Sequence, residues 1–260
     1  MADDGVSISR VGSIGLIRIE RPARRNAIDS GMAAGITKAI REFDADESCT
    51  GIVLSGSGGT FCAGADLSDP SDTTAEGWTY SDNPSAVMLR TVKDCDTTVV
   101  AAVEGWAVGL GLGLVGAATY AVGAAESRYR LPEAGLGFFP LGVVPYLVER
   151  MRPAAVVDLA LSGRRASLDD AFASGLVTHT VAAGAAEDAA VALLEELAEL
   201  PAQVLDDARA FLRTCSSAKG SDEIVQWCEQ RMTRGVLARN SSSAKTHQSA
   251  KAQQEGTDLR

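Results

Sequence analysis

The sequence predicts an α/β fold with a helical C-terminal region, and two observations carry this prediction. Up to about residue 185, short apolar runs typical of strands alternate with segments whose apolar residues recur at helical spacing. From residue 186 onward the pattern is helical only and rich in alanine, leucine and glutamate. We therefore expect a core domain over 1–185 and a C-terminal helical region over 186–260.

Local patterns assign the elements in order. Two apolar runs flank Gly12-Ser13 and predict a hairpin, and Asp29 or Ser30 is expected to cap a helix that reaches about Asp44. Further strands are expected at 51–55, 98–103, 120–123 and 176–181. Further helices are expected at 84–94, 110–118, 154–161, 168–174, 186–200, 201–215 and 221–238. The polar segment 68–83 predicts a mobile loop, and the tail 240–260 predicts a last helix or partial disorder.

The overall composition excludes several classes of function. The 260 residues carry a formal net charge of −10, which argues against nucleic-acid binding because phosphate neutralisation needs a basic surface. Five cysteines show neither disulfide-framework nor metal-ligand spacing, so free thiols and a cytoplasmic location are expected. The acidic start does not read as a signal peptide, and no apolar run is long enough to span a membrane.

Two glycine-rich turns form the most informative pattern. The strand at 51–55 runs into a loop that ends Ala63-Gly64-Ala65-Asp66, and about forty residues later the strand at 98–103 runs into EGWAVGLGLGL. If the two strands are parallel neighbours, their following turns could aim two backbone N–H groups at one point. Two convergent N–H donors are what an enzyme needs to hold a developing oxyanion.

Glu133, in the stretch RLPEAGLGFFP, offers a single carboxylate after these turns. Because it follows Pro132, it could be only a first-turn helix acid that the helix dipole stabilises. Its neighbours in the sequence are apolar: Leu131, Leu136, Phe138 and Phe139. Such surroundings are expected to raise the pKa of the carboxyl and to suit it to proton transfer.

A nucleotide-binding alternative comes from the spacing of Gly111, Gly113 and Gly116, which spells GxGxxG. A dinucleotide-binding turn should follow its strand directly, whereas seven residues separate Val103 from Gly111. The other interpretation is that these glycines let a buried helix pack closely.

Taken together, the motifs resemble the crotonase superfamily, the enoyl-CoA hydratase/isomerase family. The resemblance is carried by IERPARRNAI (19–28), GTFCAGADL (59–67), VAAVEGWAVGLGLGL (100–114), RLPEAGLGFFP (130–140) and, more weakly, LALSGRRASLDDAFASGLVTHTV (159–181). It covers residues 5 to 185 well and the tail loosely. It implies a crotonase-like spiral of β-β-α repeats and a C-terminal α-helical trimerisation region, with homotrimers or hexamers.

The resemblance also implies a ligand and a set of site residues. The ligand is an acyl-CoA thioester, with coenzyme A as part of the substrate, no separate cofactor, no metal, and neither nucleic acid nor membrane as partner. The oxyanion donors would be the backbone N–H groups of Ala65 and Leu110, with Glu133 as the catalytic glutamate. The residues implied in substrate or CoA binding are Arg24, Arg25, Ala27, Ala63, Gly64, Asp66 and Leu67. Arg24 and Arg25 could meet CoA phosphate or adenine, or form a solvated cluster, and Asp66 could mainly order its loop.

One departure from the family pattern bears on which activity the resemblance implies. Hydratases of the family carry a second glutamate where this chain has Gly113, and a missing acid/base typically costs about 10²–10⁴-fold in rate. Dienoyl-CoA isomerases place an acid where this chain has Leu141. The single Glu133 therefore favours isomerisation of an enoyl-CoA double bond. An enoyl-CoA hydratase with an incomplete carboxylate pair, or a largely non-catalytic acyl-CoA-binding protein, remains open.

Other polar and aromatic candidates are weaker. His179 and His247 lack metal or triad spacing, and Glu104 is expected to be a turn residue rather than a catalyst. Two aromatic residues and a methionine in or after the polar loop could line an acyl pocket or simply pack: Trp78, Tyr80 and Met88.

Overall fold

The computed structural model describes residues 5–69, 82–217 and 222–231. Its strands are β1 (Val6–Val11), β2 (Ile14–Ile19), β3 (Gly51–Gly56), β4 (Val99–Val103), β5 (Trp106–Val108), β6 (Tyr120–Ala124), β7 (Arg128–Arg130), β8 (Ala166–Ser167) and β9 (His179–Val181). Its α-helices are α1 (Ser30–Asp44), α2 (Pro84–Asp94), α3 (Leu110–Ala117), α4 (Val144–Val148), α5 (Pro153–Ser162), α6 (Leu168–Ala173), α7 (Ala186–Ala198), α8 (Ala202–Ser217) and a helix over 222–231. Short 3₁₀ helices include Pro22–Arg24 and Glu133–Leu136.

The main sheet has the strand order β1-β2-β3-β4-β6-β9. The predicted hairpin is confirmed, because β1 and β2 pair antiparallel across the Gly12-Ser13 turn. The remaining pairs are parallel. Parallel order between β3 and β4 sends both following turns to the same edge of the sheet. The last strand begins at His179, later than the predicted residue 176. Leu176 and Val177 precede the strand and are buried.

The central strands are almost wholly apolar because helices cover both faces of the sheet. On one face, Val53, Val100 and Val122 of three neighbouring strands share a cluster with Ala190 and Leu194 of α7. The alternate side chains of the same strands join the larger cluster with α1, α2 and α3. Helix α7 therefore packs on one face of the sheet, and α1, α2 and α3 pack on the other.

Helix α1 begins and packs as its sequence predicts. The Asp29 side chain accepts a hydrogen bond from the Met32 N–H at 2.9 Å, which caps the first turn. The predicted apolar face is buried through Ile36, Ile40 and Phe43.

A second sheet, which the sequence analysis missed, has the order β5-β7-β8. Its strands are two or three residues long, too short for a periodic signal. Isolated parallel bridges, Cys62 with Ala107 and Ile28 with Ala65, extend this layer to the loop after β3. The second sheet therefore aligns the turns in which the site was expected.

The chain forms two compact units, Met1–Pro201 and Ala202–Arg260. Helix α7 belongs to the first unit, and the predicted boundary between residues 185 and 186 stays a prediction. Within the second unit, the Arg231 guanidinium donates to Asp207 at 2.6 Å and the rings of Phe211 and Trp227 lie 6.1 Å apart.

Several predictions concern residues outside the described ranges. These are residues 70–81 of the polar loop, with Trp78 and Tyr80, and the tail with His247. Met88 is described and is buried in the core. Across residues 5–69, 82–217 and 222–231, no helix combines the length and the apolar character that a membrane crossing needs.

Candidate active site

The two glycine-rich turns meet at Gly64 and Gly109. A Cβ placed on Gly64 would lie 3.3 Å from the Val108 carbonyl oxygen and 3.9 Å from the Leu110 nitrogen. Both glycines have positive φ, 112° and 51°, which other residues rarely adopt. The backbone segments are thus closely packed, and the positive φ of both glycines disfavours any other residue at these positions.

Two backbone donors flank this junction. Gly64 accepts a hydrogen bond from Ile28 at 2.9 Å and Asp66 donates to Ile28 at 2.8 Å, so this segment is fixed on either side of Ala65. Leu110 is the first residue of α3, whose dipole favours negative charge near its N-terminus. In the part of the chain that the structure describes, neither the Ala65 N–H nor the Leu110 N–H donates to a protein acceptor.

Glu133 lies beside the same junction. Its 3₁₀ helix follows Pro132, and the side chain is buried, with an exposed fraction of 9%. A Cβ on Gly109 would lie 2.8 Å from Glu133 Oε1, and Oε2 is buried without a hydrogen-bond partner among the described residues. Burial raises the pKa of the carboxyl, and a backbone hydrogen bond and the charge of Arg130 partly oppose the shift. The arrangement suits a carboxylate that takes up and returns a proton.

The source of this burial differs from the sequence-based expectation. Leu131 is buried, but Leu136 and Phe138 are 58% and 52% exposed, so assigning the apolar environment to them was wrong. Leu136 is the last residue of the 3₁₀ helix and Phe138 follows its Gly137 C-cap, and both side chains face outward. The close neighbour of the carboxyl is instead the Gly109 turn, which is distant in sequence.

Gly113 lies in an apolar environment within α3. A Cβ there would meet Leu89 at 3.2 Å and 3.3 Å and Val143 at 3.3 Å, and these carbon atoms are its three nearest neighbours. Leu141, in contrast, is 74% exposed. The position of the second hydratase glutamate is thus walled by aliphatic side chains.

The glycines of α3 are explained by close packing. A Cβ on Gly111 would lie 2.6 Å from the Cys62 carbonyl oxygen, and a Cβ on Gly116 would lie 2.9 Å from Leu147. The spacing argument against a nucleotide turn used the wrong strand, because β5 ends at Val108, directly before the turn. These close contacts favour the interpretation that the glycines let α3 pack closely over the nucleotide-binding interpretation.

Asp66 connects the loop to its surroundings. Its carboxylate accepts hydrogen bonds from the Ser68 hydroxyl at 2.6 Å, the Ser68 N–H at 3.0 Å and Arg21 Nη1 at 2.8 Å. The bonds from Ser68, and then Arg21, lower the pKa of Asp66. These contacts are those of a residue that orders the loop.

The other residues that the resemblance implies in CoA binding lie along one edge. The Ala27 N–H donates to Arg24 at 3.1 Å, and the Ala63 N–H donates to Arg25 at 3.0 Å, so the turn at 24–27 runs beside the segment after β3. Arg24, Arg25 and Leu67 are exposed. These residues are brought together, and their role in binding stays a prediction.

The sequence analysis missed Arg150. Its guanidinium donates to the carbonyl oxygens of Ala118 at 2.7 Å and Val115 at 3.1 Å, at the C-terminal end of α3. Burial lowers the pKa of Arg150 to about 10. No sequence pattern predicts these hydrogen bonds, because their acceptors are backbone atoms.

The remaining candidate residues make contacts typical of structural residues. Glu104 accepts a hydrogen bond from the Ala186 N–H at 3.0 Å at the start of α7, and His179 is exposed beside the Tyr120 ring. All five cysteines are free, as predicted. Over the ranges that the structure describes, no group of three or more His, Cys, Asp or Glu side chains could hold a metal ion.

Comparison with known proteins identifies the family of the chain. A family model described as enoyl-CoA hydratase/isomerase matches residues 9–253. A putative enoyl-CoA hydratase of Thermus thermophilus is 34% identical over 191 residues, covering 72% of this chain and 76% of that protein. The mitochondrial 3-hydroxyisobutyryl-CoA hydrolase of Rattus norvegicus is 29% identical over 226 residues, covering 85% of this chain but only 58% of that protein.

Solved structures confirm the fold. The crystal structure of an enoyl-CoA hydratase from Mycobacterium smegmatis superposes with a TM-score of 0.81 at 22% identity, covering 90% of this chain and 92% of that one. The α/β crotonase fold that the sequence predicts is thereby confirmed. The chain belongs to the enoyl-CoA hydratase/isomerase family of the crotonase superfamily.

Proposed function

We propose that the chain acts on an acyl-CoA thioester and isomerises the double bond of an enoyl-CoA. The Ala65 and Leu110 N–H groups would bind the thioester oxygen, and Glu133 would move the proton. One observation carries the proposal: the buried Glu133 carboxyl, with an unbonded Oε2, lies beside the junction of two turns whose flanking N–H groups have no acceptor in the described part of the chain.

The chemistry follows from this arrangement. When Glu133 removes a proton from the acyl chain, the electron pair is delocalised onto the thioester oxygen. Pre-placed N–H donors stabilise that developing negative charge by about 2.7–4 kcal/mol each. Glu133 then returns the proton to a different carbon of the same chain, which shifts the double bond without adding or removing an atom.

The surroundings of Gly113 favour isomerisation over hydration. Hydration needs an activated water, and the wall of Leu89 and Val143 offers no polar group to hold one. A single carboxylate is sufficient to move a proton between two carbons. Hydration is the second candidate because the relative from Thermus thermophilus is named a putative enoyl-CoA hydratase.

Glu133→Gln tests the proposal. We expect kcat for 3-enoyl-CoA isomerisation to fall by about 10²–10⁴-fold, while KM changes little, because the amide keeps the shape but cannot accept the proton. Glu195→Gln is the matched control, since Glu195 is exposed on α7, and it should behave like the unsubstituted chain.

The outcomes separate the alternatives. Full activity of the Glu133→Gln variant would exclude the single-base mechanism. Faster hydration of a 2-enoyl-CoA than isomerisation would favour the hydratase. Tight binding of acyl-CoA esters without turnover of any of them would favour a binding protein.

A further inference from the structure

A buried asparagine, Asn26, lies in the turn that runs beside the candidate site. Its exposed fraction is 0%, and its φ of 59° lies in the left-handed region, as does the φ of 51° of Arg25. Residues other than glycine rarely adopt this conformation, although asparagine adopts it more readily than most. Two such residues in succession persist only where their surroundings hold them, and strain of this kind clusters at functional sites.

The side-chain amide of Asn26 is bonded on both sides. Nδ2 donates to the carbonyl oxygens of Ser57 at 2.9 Å and of Thr60 at 2.5 Å, which lie in the loop after β3. Oδ1 accepts a hydrogen bond from the Arg21 N–H at 2.9 Å, at the start of the turn. Both amide hydrogens and the amide oxygen thus have partners within the protein. The side chain therefore fixes the conformation of the turn and joins the turn to the loop.

The residues that follow this turn set the direction of the Ala65 N–H. The Gly64 carbonyl oxygen accepts a hydrogen bond from the Ile28 N–H at 2.9 Å. In a trans peptide the carbonyl and the N–H that follows it point in opposite directions, so the Ala65 N–H points away from Ile28. The opposite edge of this segment pairs with β5, because the Cys62 N–H donates to Trp106 at 2.9 Å. The pairing therefore aims the Ala65 N–H toward the side on which β5 leads into α3.

Arg21 provides a second connection between the turn and the segment of the proposed oxyanion donor. Its Nη1 lies 2.8 Å from Asp66 Oδ2 and 3.1 Å from Asp29 Oδ2. The same nitrogen donates to the Ala27 carbonyl oxygen at 3.3 Å. Because the Asn26 side chain accepts a bond from the backbone of Arg21, it also holds the residue from which this connection starts. Side-chain as well as backbone bonds therefore join the turn to the segment.

We propose that Asn26 is a positioning residue for the reaction, because its side chain holds the turn that aims the Ala65 N–H at the thioester oxygen. The inference rests on the proposed function, in which the Ala65 N–H is an oxyanion donor. Asn26 is buried and its amide is bonded within the protein, so it acts through the backbone and not on the substrate. A misplacement of about 1 Å can cost about 10²-fold in rate, so a small shift of the turn is sufficient to reduce turnover.

Asn26→Gly in the full chain is the first test. Glycine accepts the positive φ without strain, so the substitution removes the bonds of the amide and keeps the backbone preference of the turn. We expect kcat for 3-enoyl-CoA isomerisation to fall by about 10–10²-fold, with a much smaller change in KM. Arg21→Gln is a second variant, which keeps the buried asparagine and removes the ion pairs with Asp66 and Asp29. It should lower kcat in the same direction.

The stretching frequency of the bound thioester carbonyl is a second readout, and it does not need turnover. Hydrogen bonds to the carbonyl oxygen lower this frequency. In infrared difference spectra of butanoyl-CoA with an isotope label at the carbonyl carbon, we expect Asn26→Gly to lower the frequency less than the unsubstituted chain does. Asn83→Ala is the matched control, a buried asparagine that caps α2 by accepting bonds from the N–H groups of Ser85 and Ala86. It should lower the melting temperature but change neither the carbonyl frequency nor kcat.

The carbonyl frequency also separates this inference from the proposed function. A frequency that is the same in the folded Asn26 and Arg21 variants as in the unsubstituted chain would overturn the inference, whatever the melting temperatures. Equal changes in Asn26→Gly and Asn83→Ala would overturn it as well. Glu133→Gln should keep the lowered frequency whether or not Glu133 is the base, because the frequency depends on the oxyanion donors. If the unsubstituted chain itself does not lower the frequency, the oxyanion role of Ala65 fails and the inference fails with it.

Discussion

Gly109 is the residue at which the backbone of one turn comes closest to the catalytic candidate Glu133. Its backbone angles are φ 51° and ψ −116°, and a Cβ there would lie 2.8 Å from Glu133 Oε1. We predict that Gly109→Ala lowers the free energy of unfolding by about 1–3 kcal/mol, the cost of such strain. We also expect kcat to fall about 10²-fold, because displacing the turn misplaces Glu133 and the Leu110 N–H.

A matched control lies nearby. A Cβ placed on Gly135 would have no atom within 4 Å, and this glycine has no positive φ, so Gly135→Ala should leave stability and kcat nearly unchanged. Chemical denaturation and steady-state kinetics on both variants check the prediction. Equal effects of the two substitutions would show that the Gly109 geometry has no special role.

Glu133 should also give activity a characteristic pH dependence. Burial raises its pKa above the ordinary glutamate value of 4.5, and the unprotonated form is the base. We therefore predict that kcat/KM rises with pH, with a midpoint above that value. A pH–rate profile with stable ionic strength checks the prediction, and a midpoint at or below 4.5 would contradict it.

The same shift makes a prediction for stability. A raised pKa in the folded state means that protonation favours folding, so this stability is complete below the unfolded pKa and is lost as pH rises through the folded pKa. Glutamine does not titrate. The stability of Glu133→Gln relative to the unsubstituted chain should therefore increase between about pH 4 and pH 8. Thermal unfolding of both chains at these two pH values measures the difference. A difference in stability that does not change with pH would contradict the burial effect.

At the scale of elements, α3 depends on tertiary support. It has eight residues, three of them glycines, and each glycine costs up to about 1 kcal/mol in a helix interior. The Arg150 guanidinium supplies part of that support by donating to the carbonyls of Val115 and Ala118. We therefore predict that Arg150, by holding the C-terminal end of α3, also positions the Leu110 N–H at the opposite end of the helix.

Arg150→Met should therefore change more than stability. It leaves two carbonyl oxygens without their donors, at about 1–3 kcal/mol each, and we expect kcat to fall about tenfold with little change in KM. The comparison with Arg152→Met, an exposed neighbour, removes general effects of charge. A lower melting temperature with unchanged kcat would reduce Arg150 to a purely structural residue.

The sequence predicts long and periodic elements well and short ones poorly. Helix α1 follows from the Asp29 cap and its apolar spacing, and the hairpin follows from alternation around Gly12-Ser13. The strands of the second sheet have no periodic signal, and their pairing depends on residues far apart in sequence. The candidate site could be predicted at the two turns because their glycines form a recognisable motif, whereas Arg150 could not be predicted, because its acceptors are backbone carbonyls distant in sequence.

At the scale of the whole molecule, one region carries a local charge of the opposite sign to the net charge. The formal net charge of −10 disfavours polyanions in general, yet Arg25, Arg130 and Arg165 line a cavity of about 540 Å³ whose lining includes no acidic side chain. A total charge therefore constrains the class of partner, whereas the local arrangement decides which ligand group binds.

The second compact unit exposes apolar side chains that a partner copy could cover. The exposed fractions are 50% for Val204, 39% for Phe211, 48% for Leu212 and 54% for Val225. Exposed apolar side chains, where they form a contiguous patch, are typical of association surfaces. Together with the trimers that the family resemblance implies, they lead us to predict that the chain forms a homotrimer through this unit.

Light scattering checks this prediction directly, because a trimer has three times, and a hexamer six times, the chain mass of 27.0 kDa. Phe211→Asp should lower the measured mass toward that of one chain, since a carboxylate in an apolar interface lacks a partner. Ile8→Asp is the control, a substitution of an apolar residue of the first unit that is 51% exposed, and should leave the assembly intact. A monomer before any substitution would refute the prediction, and the apolar side chains of the second unit would then need a different partner.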